Sequence, residues 1–160
     1  MNADDRTSSG VRIPPPLVYL AGLGTGFVLQ WWLPLALVAA PGNAAPVRYA
    51  GYALIVLGIA LAGSAIGMFR QAGTSPNPTR PTTALVATGP YRFTRNPMYL
   101  GLALVHAGIA LAADALWPLV ALAPVLAVIR YRVIAREEAY MAKKFGAAYA
   151  DYCGRVRRWL

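Results

Sequence analysis

The sequence predicts an all-α fold, a polytopic membrane bundle of about four transmembrane helices with an amphipathic helix at its C-terminal end. Three observations predict it. Apolar residues make up 58% of the chain and charged residues 13%, against roughly 45–50% and 25% in soluble domains. With 160 residues there is too little interior to hide that excess, because small domains leave much of their surface wet. Charges are absent over residues 13–47 and 49–69, and from 96 to 129 only Asp114 interrupts.

A crossing helix needs about 20 apolar residues, so these runs hold four. Residues 1–12 are polar, lack the pattern of a secretory signal, and read as a loose tail ending at residue 16. The first helix starts near Leu17, after Pro14-Pro15-Pro16, and reaches Trp31-Trp32, where indoles suit the membrane interface. Pro34 leaves two paths open, a bent continuation to Ala40 or a break. Pro41-Gly42-Asn43 is a turn. The second helix runs from about Val47 to Arg70, rich in the small residues that let helices approach closely in lipid. The third starts at Pro97 and the fourth ends near Ala135, joined by a short turn at Ala113-Asp114, with Asp114 as its cap. Pro118 fits a first helical turn, whereas Pro124 should kink the fourth helix. The domain plan is one domain: a cytoplasmic tail over 1–16, a bundle over 17–135 containing a cytoplasmic loop at 71–96, and a cytoplasmic helix and tail over 136–160.

With four crossings, both termini and the 71–96 loop share one side, and Arg48 alone among the basic residues lies on the other. The positive-inside rule places that shared side in the cytoplasm, in an inner or cell membrane. The net charge of +9 sits at the borders of apolar runs, which favours anionic lipid headgroups over nucleic acid as partner. A single cysteine, Cys153, and a single histidine, His106, exclude an intramolecular disulfide and argue against a protein-built metal site. His106 reads as a neutral residue bonded to a neighbouring helix.

Two constellations stand out. The loop ends in Gly89-Pro90-Tyr91-Arg92-Phe93-Thr94-Arg95-Asn96-Pro97-Met98-Tyr99. Asn is a preferred N-cap and Pro suits the first helical position, so this is at least a helix start. Its free amides also favour an anionic group, and Tyr91, Arg92, Arg95 and Tyr99 crowd around it. Beyond the fourth helix, Arg130, Ile134, Glu137, Glu138, Met141 and Phe145 share one helical stripe. The acidic pair there is either a set of salt bridges or a contact for a cationic ligand.

Arg95-Asn96-Pro97-x-Tyr99-x-Gly101, Glu137-Glu138-x-x-Met141-x-x-x-Phe145-Gly146-x-x-Tyr149-x-x-Tyr152 and Arg155-Val156-x-Arg158-Trp159 together resemble the isoprenylcysteine carboxyl methyltransferase and phospholipid methyltransferase superfamily, from Gly73 onward. The resemblance implies a methyltransferase that uses S-adenosylmethionine held on the cytoplasmic side and a lipophilic small molecule or lipid that enters from the bilayer. It implies cofactor contacts at Thr83, Ala84, Leu85, Val86, Tyr91, Asn96, Pro97, Met98, Tyr99 and Glu137. Two positions depart. Asn96 stands where the family has histidine and cannot titrate near neutrality, and the family's substrate-binding arginine falls at Val133. Arg130, the neighbouring arginine on the stripe, and Glu138 are the substrate-binding candidates, and no catalytic residue is assigned. The competing reading is a non-enzymatic membrane accessory module with the same bundle.

Overall fold

Three consecutive prolines withhold backbone amides, so a helix can begin on them but not run through them. α1 accordingly spans Pro15–Trp32 in the computed structural model, which describes residues 13–38, 44–75 and 82–160. The helix stops there, and Leu33–Val38 are irregular, so the bent continuation does not form as far as Val38. The expected turn at Pro41-Gly42-Asn43 lies outside the described residues, as do residues 1–12.

α2 covers Ala44–Gln71, α3 Pro97–Ala112 and α4 Leu116–Val128, with a 3-10 turn at Gly89–Arg92 ahead of α3. α4 passes through a π-helical turn, Ile129–Ile134, into α5, Ala135–Phe145; α6 follows over Ala147–Arg155. No strand occurs among the described residues. Two helical runs are long and apolar enough to cross a membrane, Ala44–Gln71 and Leu116–Phe145, and Pro97–Ala112 is a shorter apolar helix. The second run has 30 residues, more than a crossing requires. Its charged part begins at Arg130, so α5 extends beyond the apolar stretch.

α3 is the central helix, packed chiefly on α2 and also against α4 and α1, while α1 packs on α4. The α2–α3 contact is set by glycines at a seven-residue interval on both helices. A Cβ at Gly58 would lie 2.5 Å from the carbonyl oxygen of Gly101, and one at Gly51 would lie 2.6 Å from that of Gly108. Only hydrogen fits at these points, and the backbones come within dispersion and weak Cα–H···O range. In lipid, where solvent gives little drive for apolar helices to associate, such proximity is what holds a pair together.

Polar groups fasten the end of the bundle where α1 and α4 meet. Asp114, at a left-handed φ of 50°, accepts the amides of Leu37 and Val38 at 2.9 and 3.0 Å. It therefore holds the connection after α1 and does not cap α4, whose first turn carries no side-chain cap. The Trp117 indole donates to Leu33 O at 2.8 Å. His106, 1% exposed, contacts the Pro118 carbonyl through Nε2 at 2.9 Å. A carbonyl only accepts, so Nε2 carries the proton, in keeping with the expected bond to a neighbouring helix. Large apolar side chains such as Leu20 on α1 and Val56, Leu57 and Ile59 on α2 are exposed, as lipid-facing surfaces are.

Valine at Gly58 should force α2 and α3 apart and cost about 1–3 kcal/mol, read as a lower thermal midpoint in detergent. Alanine at Gly63, where a Cβ meets nothing within 4 Å, should leave that midpoint unchanged or slightly raised.

Candidate active site

At the opposite end of the bundle the ends of α2, α3 and α5 meet the connection from α2 to α3. α2 ends in a glycine-closed turn: Gly73, at φ 65°, donates to Arg70 O, and Thr74 donates to Phe69 O. This is the Schellman arrangement, which satisfies the last carbonyls of a helix. Thr74 is buried and its hydroxyl takes the Thr83 amide at 2.8 Å. The segment after residue 81 is thereby laid back over the helix ends.

A cavity lies beneath it. Its wall includes Phe69 from α2, Leu85 and Val86 from the connection, Tyr91 from the 3-10 turn, Met98 and Tyr99 from α3, and Glu137 and Glu138 from α5. Glu137 has one hydrogen-bond donor among the described residues, the Tyr99 hydroxyl, which reaches its Oε1 at 2.5 Å. Burial pushes the Glu137 carboxyl up to about 7; the Tyr99 bond works against this and the neighbouring Glu138 adds to it. The site thus holds an acid that gains and loses its proton near neutrality.

Tyr91 is 5% exposed and its ring stacks edge-on to Phe69 at 5.4 Å. Its hydroxyl is buried with no hydrogen-bond partner among the described residues. Burial, chiefly, raises its titration, so the group stays a neutral donor. A buried polar group without a partner is uncommon enough to require an explanation. The Tyr91 carbonyl, in contrast, is taken by the Tyr152 hydroxyl from α6 at 2.8 Å.

The C-terminal segment closes the other wall. Helix α5 stops at Gly146, whose φ of 52° turns the chain into α6, so residues 136–160 form two helices and a tail. That tail pairs with the entry to α3. The Arg95 amide donates to Arg157 O at 2.9 Å, and the Thr94 hydroxyl and Asn96 Nδ2 both donate to Arg158 O, at 3.2 and 2.9 Å. Asn96 sits at the cap position of α3 but its side chain makes no capping bond; its Nδ2 donates to the tail instead. Arg158 grips Glu138 with two bonds, Nε to Oε1 at 3.0 Å and Nη2 to Oε2 at 2.6 Å. Arg95 adds a second, longer ion pair at 3.5 Å.

Of the expected cofactor contacts, Leu85, Val86, Tyr91, Asn96, Met98, Tyr99 and Glu137 line the cavity, while Thr83, Ala84 and Pro97 do not. Of the two substrate candidates Glu138 lines it, already paired with arginine. Arg130 does not. It is exposed, with its guanidinium 5.5 Å from the Tyr131 ring centre. The cause is the π-helical turn Ile129–Ile134, whose wider i→i+5 spacing breaks the 3.6-residue stripe between Arg130 and Glu137. Ile129, Val133 and Ile134 take the inward positions instead. Thr82, Tyr140 and Tyr149 also line the cavity. They carry no helical or motif signal toward it, apart from the place of Tyr149 in the tail pattern.

Phenylalanine at Tyr99 removes the donor that favours the Glu137 carboxylate. A carboxyl raised from 4.5 to about 7 weighs nothing below pH 4.5 and lowers stability progressively as pH rises toward 7. Tyr99→Phe should therefore be destabilised by about 1–3 kcal/mol at pH 8 and by less at pH 5, in thermal unfolding at both values.

With this geometry in place, the family profile described as phospholipid methyltransferase matches residues 47–148. That stretch includes α2 from its fourth residue, all of α3, α4 and α5, and every cavity residue up to Met141. No curated protein and no solved structure matches the chain.

Proposed function

The chain belongs to the phospholipid methyltransferase family, and from that premise we propose that it is an S-adenosylmethionine-dependent membrane enzyme that methylates a lipophilic acceptor. The observation that carries the reading is the cavity itself, where a titratable carboxylate and a tyrosine hydroxyl without a partner among the described residues meet aromatic and apolar walls. A ligand with a cationic centre, a carboxylate and flat rings finds a complement there. Glu137 would take the ammonium or the ribose hydroxyls, and the Tyr91 hydroxyl would find its missing acceptor. The rings of Tyr91 and Tyr99 would pack the adenine.

Bound in this way, S-adenosylmethionine supplies an electrophilic methyl group on a sulfonium. The protein's own part is orientation and dryness. Tyr99 fixes the Glu137 carboxylate, Phe69, Val86 and Met98 keep water from that wall, and the tail holds Asn96 in place. A lipid or lipophilic molecule whose nucleophilic atom carries an available lone pair needs alignment more than proton transfer. Asn96, in place of a histidine, is compatible with that requirement.

The proposal includes a topology. Four crossings, α1, α2, α3 and the run from Leu116 to about Ile134, put the cavity and both termini on one side. The arginine and lysine bias makes that side the cytoplasm, so the cofactor arrives from water and the acceptor from the bilayer.

Calorimetry with S-adenosylmethionine on detergent-purified protein should show binding that weakens roughly tenfold or more in Glu137→Gln. Because a cation favours the ionised carboxyl, wild-type affinity should rise by up to about tenfold per pH unit from 5.5 to 7, a slope that Glu137→Gln loses. Absence of binding to folded protein would leave only the accessory-module reading. Topology is checked by thiol labelling in a Cys153→Ser background: Thr83→Cys and Ala148→Cys should label from the cytoplasm and Asn43→Cys from outside.

A further inference from the structure

The cavity wall carries two adjacent carboxylates, and the structure treats them differently. Among the described residues the ion pairs seen at this acid pair go to Glu138, from Arg158 and Arg95. Among the same residues Glu137 receives only the Tyr99 hydroxyl. The charged and hydroxyl groups described beside Glu137 in the cavity wall include Tyr99 from α3, Tyr91 from the 3-10 turn, Glu138 from α5 itself and Arg95 from the entry to α3. The cation among them, Arg95, is paired with Glu138.

Arg158 is also the residue whose carbonyl oxygen takes the Thr94 hydroxyl and the Asn96 side-chain amide. One residue near the end of the chain thus touches both walls, α5 through its guanidinium and the entry to α3 through its backbone. The two-pronged bond to Glu138 has the geometry in which arginine fixes a carboxylate's direction as well as its charge. A like charge left free beside Glu137 would compete for any cationic ligand and hold Glu137 protonated to higher pH.

We propose that Arg158 is a positioning residue that neutralises and turns aside Glu138, leaving Glu137 as the single anionic contact for the ligand. The proposal deepens the cofactor reading above and rests on it for the ligand's identity, while the electrostatic arrangement is measurable without any ligand. Arg158 acts through Glu138 and need not touch the reacting groups.

The test follows the protonated-carboxyl infrared band of Glu137 in ligand-free protein between pH 5 and 9, identified by its loss in Glu137→Gln. In Arg158→Gln the midpoint should move up by roughly half a pH unit or more, and Arg158→Lys should restore most of the shift. In Glu138→Gln the midpoint should move down, and adding Arg158→Gln to that variant should move it up by clearly less than the same change does when Glu138 is present. A midpoint unmoved by Arg158→Gln in folded protein overturns the proposal. So does an equal shift with and without Glu138, which would make the arginine's role merely structural. Should Arg158→Gln not fold, Glu138→Gln decides, since an unmoved midpoint there overturns the proposal too. Calorimetry with S-adenosylmethionine on the same variants separates the two readings. Wild type that binds none of it, yet shows these infrared shifts, removes the cofactor and keeps the positioning role.

Discussion

The Tyr99 hydroxyl and the Glu137 carboxylate meet at 2.5 Å across 38 residues of chain. That contact requires α3 to begin, and α5 to continue past the apolar stretch, at the same level of the bundle. Each condition has its own cause. Pro97 starts α3, and the tail held by Arg95, Thr94 and Asn96 keeps that start in place. Tyr19 on α1 adds a hydrogen bond from its hydroxyl to the Tyr99 carbonyl at 2.9 Å, so three helices fix the position of one tyrosine. On the other side the π turn sets the rotation of α5, and with it the direction in which Glu137 and Glu138 face.

Much of the helical plan was legible because it rests on local chemistry. Proline runs before α1, Asn-Pro before α3 and charge-free stretches of the right length are visible without tertiary knowledge. What was not legible depends on backbone geometry or on distant partners. A π turn leaves no mark in apolar periodicity, which places Arg130 and Glu137 on one stripe that the backbone interrupts. Asn96 looked like an ordinary cap because its alternative partner is a carbonyl 62 residues away. The acidic pair at 137–138 admitted salt bridges or a ligand. In the structure Glu138 pairs with arginine and Glu137 bonds to a tyrosine.

Polar groups in this chain concentrate at the two ends of the bundle, with His106 the buried exception in between. That distribution follows from a solvent that cannot hydrogen-bond: every donor left in hydrocarbon needs a protein partner. At one end Asp114 and Trp117 tie down the chain after α1. At the other, the tail, the entry to α3 and α5 share their donors and acceptors, and among the described residues the Tyr91 hydroxyl and Arg95 Nε are what remain over.

The glycine pairs of α2 and α3 act as a vernier. Gly58 and Gly101 lock the two helices at a single point along and around their axes, and Phe69 lies eleven residues, about three turns, further along α2. Removing one residue between Gly58 and Phe69 would swing that ring by about 100° around the helix axis and draw it back by one residue's rise, while the glycine contact stayed intact. The aromatic wall beside Tyr91 is therefore indexed by a backbone contact about 16 Å away along the helix, and the length of α2 between them is as constrained as its composition.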